Sequence, residues 1–234
     1  MTMISFIVTC YNEEDNVIGA IEKVHSAATQ LGLTHEILVF DDASVDGTAS
    51  IVNEFIQKFP TVPVELHQNK VNKGVAYNFV EGAFQGKGEY CRLICGDNIE
   101  PIETHMTILK EMGKSDMIIP YYRIIVGRSL LRHLISNSFT RVVNFISGFS
   151  LKYYNGCAVL KRRDVMRWHV EATGLGYQAE LIIRLLRQGK SYSEVAVNGF
   201  DREGSVSFRL RNILSVCHSI MKIFLSRLRV TVLK

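Results

Sequence analysis

No stretch of the sequence approaches the roughly 20 uninterrupted apolar residues that a membrane-spanning helix needs, so a transmembrane chain is not expected. No basic leader or cleavage site precedes Ile4-Ser5-Phe6-Ile7-Val8, and neither secretion nor a transit peptide is expected. The five cysteines, Cys10, Cys91, Cys95, Cys157 and Cys217, are odd in number and lack paired metal-ligand spacing. They read as reduced thiols of a cytoplasmic protein. Lone histidines, among them His105, His133 and His169, lack ligand spacing too and read as surface or core residues. No internal repeat or flexible linker interrupts the 234 residues, whose 47% apolar content suffices for one sizeable core.

Acid is scarce in one half of the chain. Divided after Ile119, the first part carries 8 Lys/Arg and 17 Asp/Glu, net −9, and the second carries 19 and 6, net +13. Such a split points the second half at something anionic, a phosphate, a lipid surface or nucleic acid; solvated helix faces are the plain alternative. No recognition motif accompanies the charge, so nucleic acid is not an expected partner. From Gly204 to Lys234 there is no acid, while Arg209, Arg211, Lys222, Arg227, Arg229 and Lys234 are basic. Apolar residues there recur near helical spacing, at Leu210, Ile213, Leu214, Cys217, Ile220, Met221, Phe224 and Leu228. The pattern predicts a C-terminal basic amphipathic helix within 206–234. Such a helix either lies in a membrane interface or packs on the domain or on a second copy of the chain, as a homo-oligomer.

Before Ile119, short β-like runs alternate with amphipathic helical stretches, the pattern of an α/β domain built on a mostly parallel sheet. Strands are expected at Ile4–Val8, Glu36–Phe40, Val64–His67 and Tyr90–Ile94, and helices near Asp15–Leu31, Asp46–Phe59 and Val75–Phe84. After Pro120 the sequence reads as helix-prone to Ser150, then as a short strand at Cys157–Leu160 and a helix at Gln178–Arg187. Ligands of open α/β sheets bind at the carboxyl ends of the strands, which makes polar residues there candidates. Asp41-Asp42 follow an apolar strand and offer acceptors for a nucleobase or ribose, while Asp46 suits helix capping. Thr9-Cys10-Tyr11-Asn12-Glu13 end the first strand likewise, where acids also complement a helix dipole. Asn69-Lys70-Val71-Asn72-Lys73-Gly74 offers cations and a permissive glycine suited to a diphosphate. If the segment is helical, Arg128, Arg132 and Ser136 are spaced i, i+4, i+8 on one face and, with Arg123, make an anion site.

Tyr11-Asn12-Glu13, Asp41-Asp42-Ala43-Ser44-Val45-Asp46-Gly47-Thr48, Asn72-Lys73-Gly74 and Gly96-Asp97-Asn98, in that order, resemble the inverting family-2 glycosyltransferases of GT-A fold. The likeness is nearest to the polyprenyl-phosphate, dolichol-phosphate mannose synthase-like members and extends over residues 3–205. It implies a Rossmann-like α/β domain over 1–205, with a donor-nucleotide half (1–119) and an acceptor half (120–205), followed by the C-terminal helix over 206–234. The nucleotide-sugar donor, UDP- or GDP-linked, is then expected on Thr9, Tyr11, Asn12, Glu13, Asp41, Asp42, Lys73, Gly74 and Asp97.

The family's Asp-x-Asp metal motif is matched only in part by Cys95-Gly96-Asp97-Asn98-Ile99-Glu100, with Gly96 and Asn98 at the aspartate positions. Asn98, Glu100 and Asp97 are the ligands expected for a divalent cation, Mg²⁺ or Mn²⁺. The resemblance places a lipid-phosphate acceptor on Arg123, Arg128, Arg132 and Ser136, and likens Lys152-Tyr153-Tyr154-Asn155-Gly156-Cys157 to the acceptor-side loop. It casts Asn98, Glu180 and Arg202 as catalytic. Arg202 is expected to stabilise the leaving diphosphate, and Glu180 to act as general base where the acceptor is a hydroxyl. The implied activity is sugar transfer to a polyprenyl phosphate by a protein peripheral to the cytoplasmic face of a membrane. Extension of a surface glycan at a hydroxyl is the alternative, and a non-catalytic nucleotide-sugar-binding protein is the alternative of another class.

Overall fold

β-branched and aromatic residues with a period of two build the strands, and apolar residues at a spacing near 3.6 build the helices between them. The computed structural model describes residues 4–168, 176–201 and 217–225. The strands are β1 (Ile4–Cys10), β2 (His35–Asp41), β3 (Val64–Gln68), β4 (Tyr90–Cys95), β5 (Met117–Val126), β6 (Val159–Lys161) and β7 (Tyr192–Phe200). The helices are α1 (Val17–Gln30), α2 (Thr48–Lys58), α3 (Val75–Gln85), α4 (Ile102–Leu109), α5 (Leu130–Ser147), α6 (Arg162–Met166) and α7 (Tyr177–Arg187). Residues 217–225 are also helical, and buried Ile223 joins them to the core; the remainder of the C-terminal helix expected over 206–234 lies outside the described residues. No described helix is long and apolar enough to cross a membrane.

The seven strands form one sheet in the order β3-β2-β1-β4-β6-β5-β7. Every neighbouring pair is parallel except those made by β6, which runs against β4 and β5. Alternation along β1 sends Ile4, Phe6, Val8 and Cys10 to one buried face with Val17, Ile21 and Val24 of α1. Ile7 goes to the other face with Ala76, Phe79 and Ala83 of α3 and Ile182 of α7. Helices thus cover both faces, as parallel sheets require.

The first half follows the sequence expectation to within a residue or two at each end. Three departures lie in or near the second. Residues from Pro120 to Val126 are strand, not helix: Tyr121, Tyr122, Ile124 and Val126 are good strand residues, and α5 begins only at Leu130. On β5 only Met117 and Ile118 pair with β6, so Pro120 has a ladder on one side alone, where its missing N–H is tolerated. The expected strand at Cys157–Leu160 is shifted to Val159–Lys161, and β7, α4 and α6 had not been expected.

Candidate active site

Because β1 through β5 and β7 point the same way, their carboxyl ends share one sheet edge. Antiparallel β6 brings its leading loop, ending at Cys157-Ala158, to the same edge. The three non-glycine residues with positive φ among those described, Asn12 (57°), Ala43 (65°) and Asn98 (58°), all lie in loops on this edge. Left-handed conformations in non-glycine residues cost on the order of 1–2 kcal/mol each and gather where a site over-determines the backbone.

The loops after β1 and β2 are joined to one another. Asn12 N–H donates to Ser44 Oγ at 2.9 Å, and Asn12 Oδ1 accepts from Val45 N–H at 2.9 Å. Glu13 N–H donates to Thr48 Oγ1 at 2.9 Å, and Glu14 Oε2 accepts from Gly47 N–H at 2.6 Å. Asn12 therefore shapes the rim, while Tyr11 stands half exposed on it. Asp41 and Asp42 are both buried. Asp41 Oδ1 accepts from Ser44 N–H at 3.1 Å. Asp42 organises the third loop: Oδ1 accepts from Lys73 N–H (2.8 Å) and the Asn69 amide (2.9 Å), and Oδ2 from Gly74 N–H (2.8 Å). Lys73 and Gly74 thus reach the site through Asp42, whose own oxygens are largely engaged in holding them.

The loop after β4 is seated on β1 and α1. Gly96 N–H donates to the Thr9 carbonyl at 2.9 Å, and a Cβ at Gly96 would stand 2.8 Å from Cys10 Cβ, so only glycine fits. The Asn98 amide lies flush on α1 where Gly19 has no side chain, and a Cβ there would collide with its Nδ2. Lys23 Nζ donates to the Asn98 carbonyl at 3.0 Å. Asn98 Oδ1 is buried without a hydrogen-bond partner.

Glu100, expected as a metal ligand, has both carboxylate oxygens engaged within the chain. Its Oε2 accepts from Arg92 Nη2 at 2.8 Å and its Oε1 from the Tyr122 hydroxyl at 2.8 Å. One oxygen serves a buried cation and the other a tyrosine hydroxyl. Arg92, fully buried in β4, also donates through Nε to the Cys157 carbonyl at 2.9 Å and meets His105 Nδ1 at 2.6 Å. Burial and the Arg92 charge, opposed by Glu100, push the His105 pKa down to about 3, so its ring is neutral and accepts from the guanidinium. Burial alone would raise the Glu100 carboxyl, but the Arg92 charge, with the hydrogen bonds from Tyr122 and Arg92, holds it below its ordinary value. Tyr122 packs edge-on against Tyr153 at 5.6 Å. The cluster thereby ties the loop carrying Asp97 to the acceptor-side loop. Sequence reasoning missed Arg92 and Tyr122; the signal was a lone arginine inside an apolar strand, which demands a buried counter-ion.

On the acceptor side, Arg123 is the extra residue of a β-bulge, since β5 shifts register against β7 between Tyr122 and Ile124. Bulges re-aim side chains beside active sites. Lys152 lies 4.3 Å from the Tyr121 ring centroid, and Lys152 and Arg123 beside it hold the Tyr121 hydroxyl below its ordinary pKa. Arg128 sits in the turn before α5 rather than on its face, which corrects the expected i, i+4, i+8 helical array, because Ser129 caps the helix. Arg132 Nη1 is paired with Asp201 at 2.7 Å, anchoring the end of β7. Ser136, one turn on, shares the Arg132 face and is half buried. Glu180 lies in the first turn of α7, where neighbouring Gln178 reaches the Cys157 sulfur at 3.9 Å. Arg202 lies outside the described residues.

Among the described residues no group of three or more His, Cys, Asp or Glu is placed to hold a metal ion. Asp97 is the acid of the motif that stays at the edge. Mg²⁺ is commonly held by one or two carboxylates together with substrate phosphates, so Asp97 and a donor diphosphate fit such an ion, whereas Glu100 does not.

The model of glycosyl transferase family 2 matches residues 5–167. The chain belongs to this family. As a family-2 glycosyltransferase it is 23% identical to a dolichyl-phosphate beta-glucosyltransferase of Dictyostelium discoideum, across 94% of this chain and 73% of that protein. It is 24% identical to a polyprenol monophosphomannose synthase of Mycolicibacterium smegmatis, across 86% of this chain and 78% of that one. Its fold is that of glucosyl-3-phosphoglycerate synthase from Mycobacterium tuberculosis, solved with Mg²⁺ and uridine diphosphate. There the TM-score is 0.66 at 18% identity, over 97% of this chain and 79% of that one. The glycosyltransferase therefore has the expected GT-A architecture, and the non-catalytic reading is set aside.

Proposed function

We propose that this glycosyltransferase moves a sugar from a nucleotide-sugar to a polyprenyl phosphate at the inner face of a membrane. The observation that carries the reading is the meeting, on one sheet edge, of two unlike sets of loops. Acid-bearing loops after β1, β2 and β4 stand on one side, and the basic Arg123, Arg128 and Lys152 beside the Cys157 loop stand on the other. Relatives whose names specify dolichyl or polyprenol phosphate align over most of their length, which supports the same acceptor class here.

The nucleoside of a UDP- or GDP-sugar lies against Asp41 and the joined Tyr11–Glu13 and Ser44–Thr48 loops. A divalent cation, Mg²⁺ or Mn²⁺, held by Asp97 and the donor's own phosphate oxygens, would offset the diphosphate charge when bound. Arg123 and Arg128 draw the acceptor phosphate towards the edge; arginine suits a phosphate oxyanion because its planar fork donates two hydrogen bonds at once. An acceptor oxygen attacks the anomeric carbon as the bond to the diphosphate breaks, inverting that centre, and Arg202 meets the departing charge. Catalysis in this scheme is positioning and charge stabilisation. The anionic nucleophile needs no base. A glycan hydroxyl would, and Glu180, one turn into a helix that meets the Cys157 loop, is placed for that second reading.

Glu180→Gln separates the two. With a purified polyprenyl phosphate acceptor the variant should keep its turnover to within about tenfold, since no proton is abstracted. Loss of about a thousandfold or more with that acceptor would mean that transfer to the phosphate itself needs Glu180 and would overturn the base-free reading, whereas the hydroxyl reading requires that the wild type glycosylate a glycan hydroxyl and that the variant fail to.

A further inference from the structure

We infer that the outer face of α5, continued by the apolar ends of β5 and β7, is the surface on which the protein lies against an anionic bilayer. The inference rests on the lipid-phosphate reading and names the surface that delivers that acceptor. The apolar face of α5 is wider than the part of it that the core uses. Val143 is buried there, with Phe139 and Ile146 packed beside it. At 3.6 residues per turn, Leu130, Leu131, Leu134, Ile135 and Val142 span an arc of about 140° that begins beside the core-facing residues and opens away from them. Their relative exposures run from 42% at Val142 to 83% at Leu130, so no described residue covers the arc. Ile124, Val126 and Phe200, each more than half exposed, extend it. Val126 and Phe200 are register partners at the ends of β5 and β7, and the Arg132–Asp201 ion pair joins that end to the first turn of α5.

Charge decides the occupant. Between Asp116 and Asp164 the chain has no acidic residue and eight Lys/Arg. Exposed Arg141 stands on α5 itself, and exposed Arg123 and Lys152 lie nearby on β5 and on the acceptor-side loop. A two-fold contact would set this predominantly basic surface, whose bordering Asp201 is already paired with Arg132, against its own image. An anionic leaflet offers the opposite charge together with acyl chains for the leucines. The surface adjoins the same sheet edge as Arg128 and the Cys157 loop, so a lipid phosphate in that leaflet would lie beside the basic side of the site.

Flotation with vesicles of phosphatidylglycerol and phosphatidylcholine tests this, alongside vesicles of phosphatidylcholine alone. The wild type should bind the mixed vesicles and release in high salt. The triple variant Leu131→Ser/Leu134→Ser/Ile135→Ser should lose about a hundredfold in affinity, and Arg141→Gln about fivefold. All three residues are exposed, so the melting temperature should not fall, and transfer to a short, water-soluble isoprenyl phosphate without vesicles should be unchanged. Trp168 is buried, so Leu134→Trp adds a clean reporter whose emission should shift to the blue on vesicles and be quenched by brominated lipid. Vesicle binding unchanged in the triple variant overturns the inference. So does a wild-type dimer that the triple variant dissociates while neither binds vesicles, which would make the face a subunit contact. Vesicle binding that depends on these residues, without transfer to any isoprenyl phosphate, would refute the acceptor and leave the surface standing.

Discussion

Replacing Glu100 with Gln removes one charge from a site where Arg92 is fully buried and the Glu100 side chain is 11% exposed. The amide can still accept from the guanidinium and donate to the Tyr122 hydroxyl, so the hydrogen-bond count survives and the charge balance does not. Breaking a buried pair from one side costs about 3–5 kcal/mol, because the remaining ion keeps its desolvation penalty. The retained hydrogen bonds place Glu100→Gln at the lower end. At about 2–4 °C per kcal/mol for a domain of this size, the melting temperature should fall by roughly 6–12 °C. Scanning calorimetry reads the fall, and a Mn²⁺ titration of donor turnover, well below the melting range, reads the metal. The half-saturating Mn²⁺ concentration should stay within about twofold, because Glu100 faces Arg92 and Tyr122 rather than the cation. An unmoved melting temperature with a tenfold rise in the Mn²⁺ requirement would show that Glu100 is a ligand, and would refute the reasoning.

Two further outcomes follow from the same loops. Gly19→Ala puts a methyl group where the Asn98 amide lies, and that amide can swing aside cheaply. Its melting temperature should therefore move by only a few degrees, about 1 kcal/mol, while turnover falls about tenfold or more as the Asn98 amide leaves its seat; a normal turnover would separate Asn98's seat from catalysis. His105 has its folded pKa lowered from 6.5 to about 3, so between those values the unfolded chain takes up a proton that the folded one refuses. Stability is complete above about pH 6.5 and falls on acidification, by up to about 1.4 kcal/mol per pH unit. Between pH 6.5 and 5, where few carboxylates titrate, the wild-type melting temperature should drop more steeply than that of His105→Gln, and parallel curves would contradict the neutral buried ring.

Asp41, Asp42 and the loops around them were legible because each follows an uninterrupted apolar strand and precedes a clear helical period. The function of Asp42 was less so: its place in the sequence suggested a ligand group, whereas its oxygens hold the Asn69–Gly74 loop. The partners of Glu100 were not legible, because proximity to the motif was visible and Arg92, eight residues back and facing it from the strand, was not weighed. In the second half, Pro120 and the basic residues that follow concealed β5, whose strand character rests on its pairing with β7, a long-range contact no local period reveals. The arginine array dissolved for a local reason, since Ser129 caps α5 after Arg128.

Incubating the purified protein with Mn²⁺, a defined polyprenyl phosphate and a panel of radiolabelled UDP- and GDP-sugars tests the central claim most directly. Label from one donor should enter the organic phase and be released by mild acid, as expected of a sugar joined to a lipid monophosphate. Label found only in a water-soluble glycan, with the organic phase empty for every donor, would contradict it.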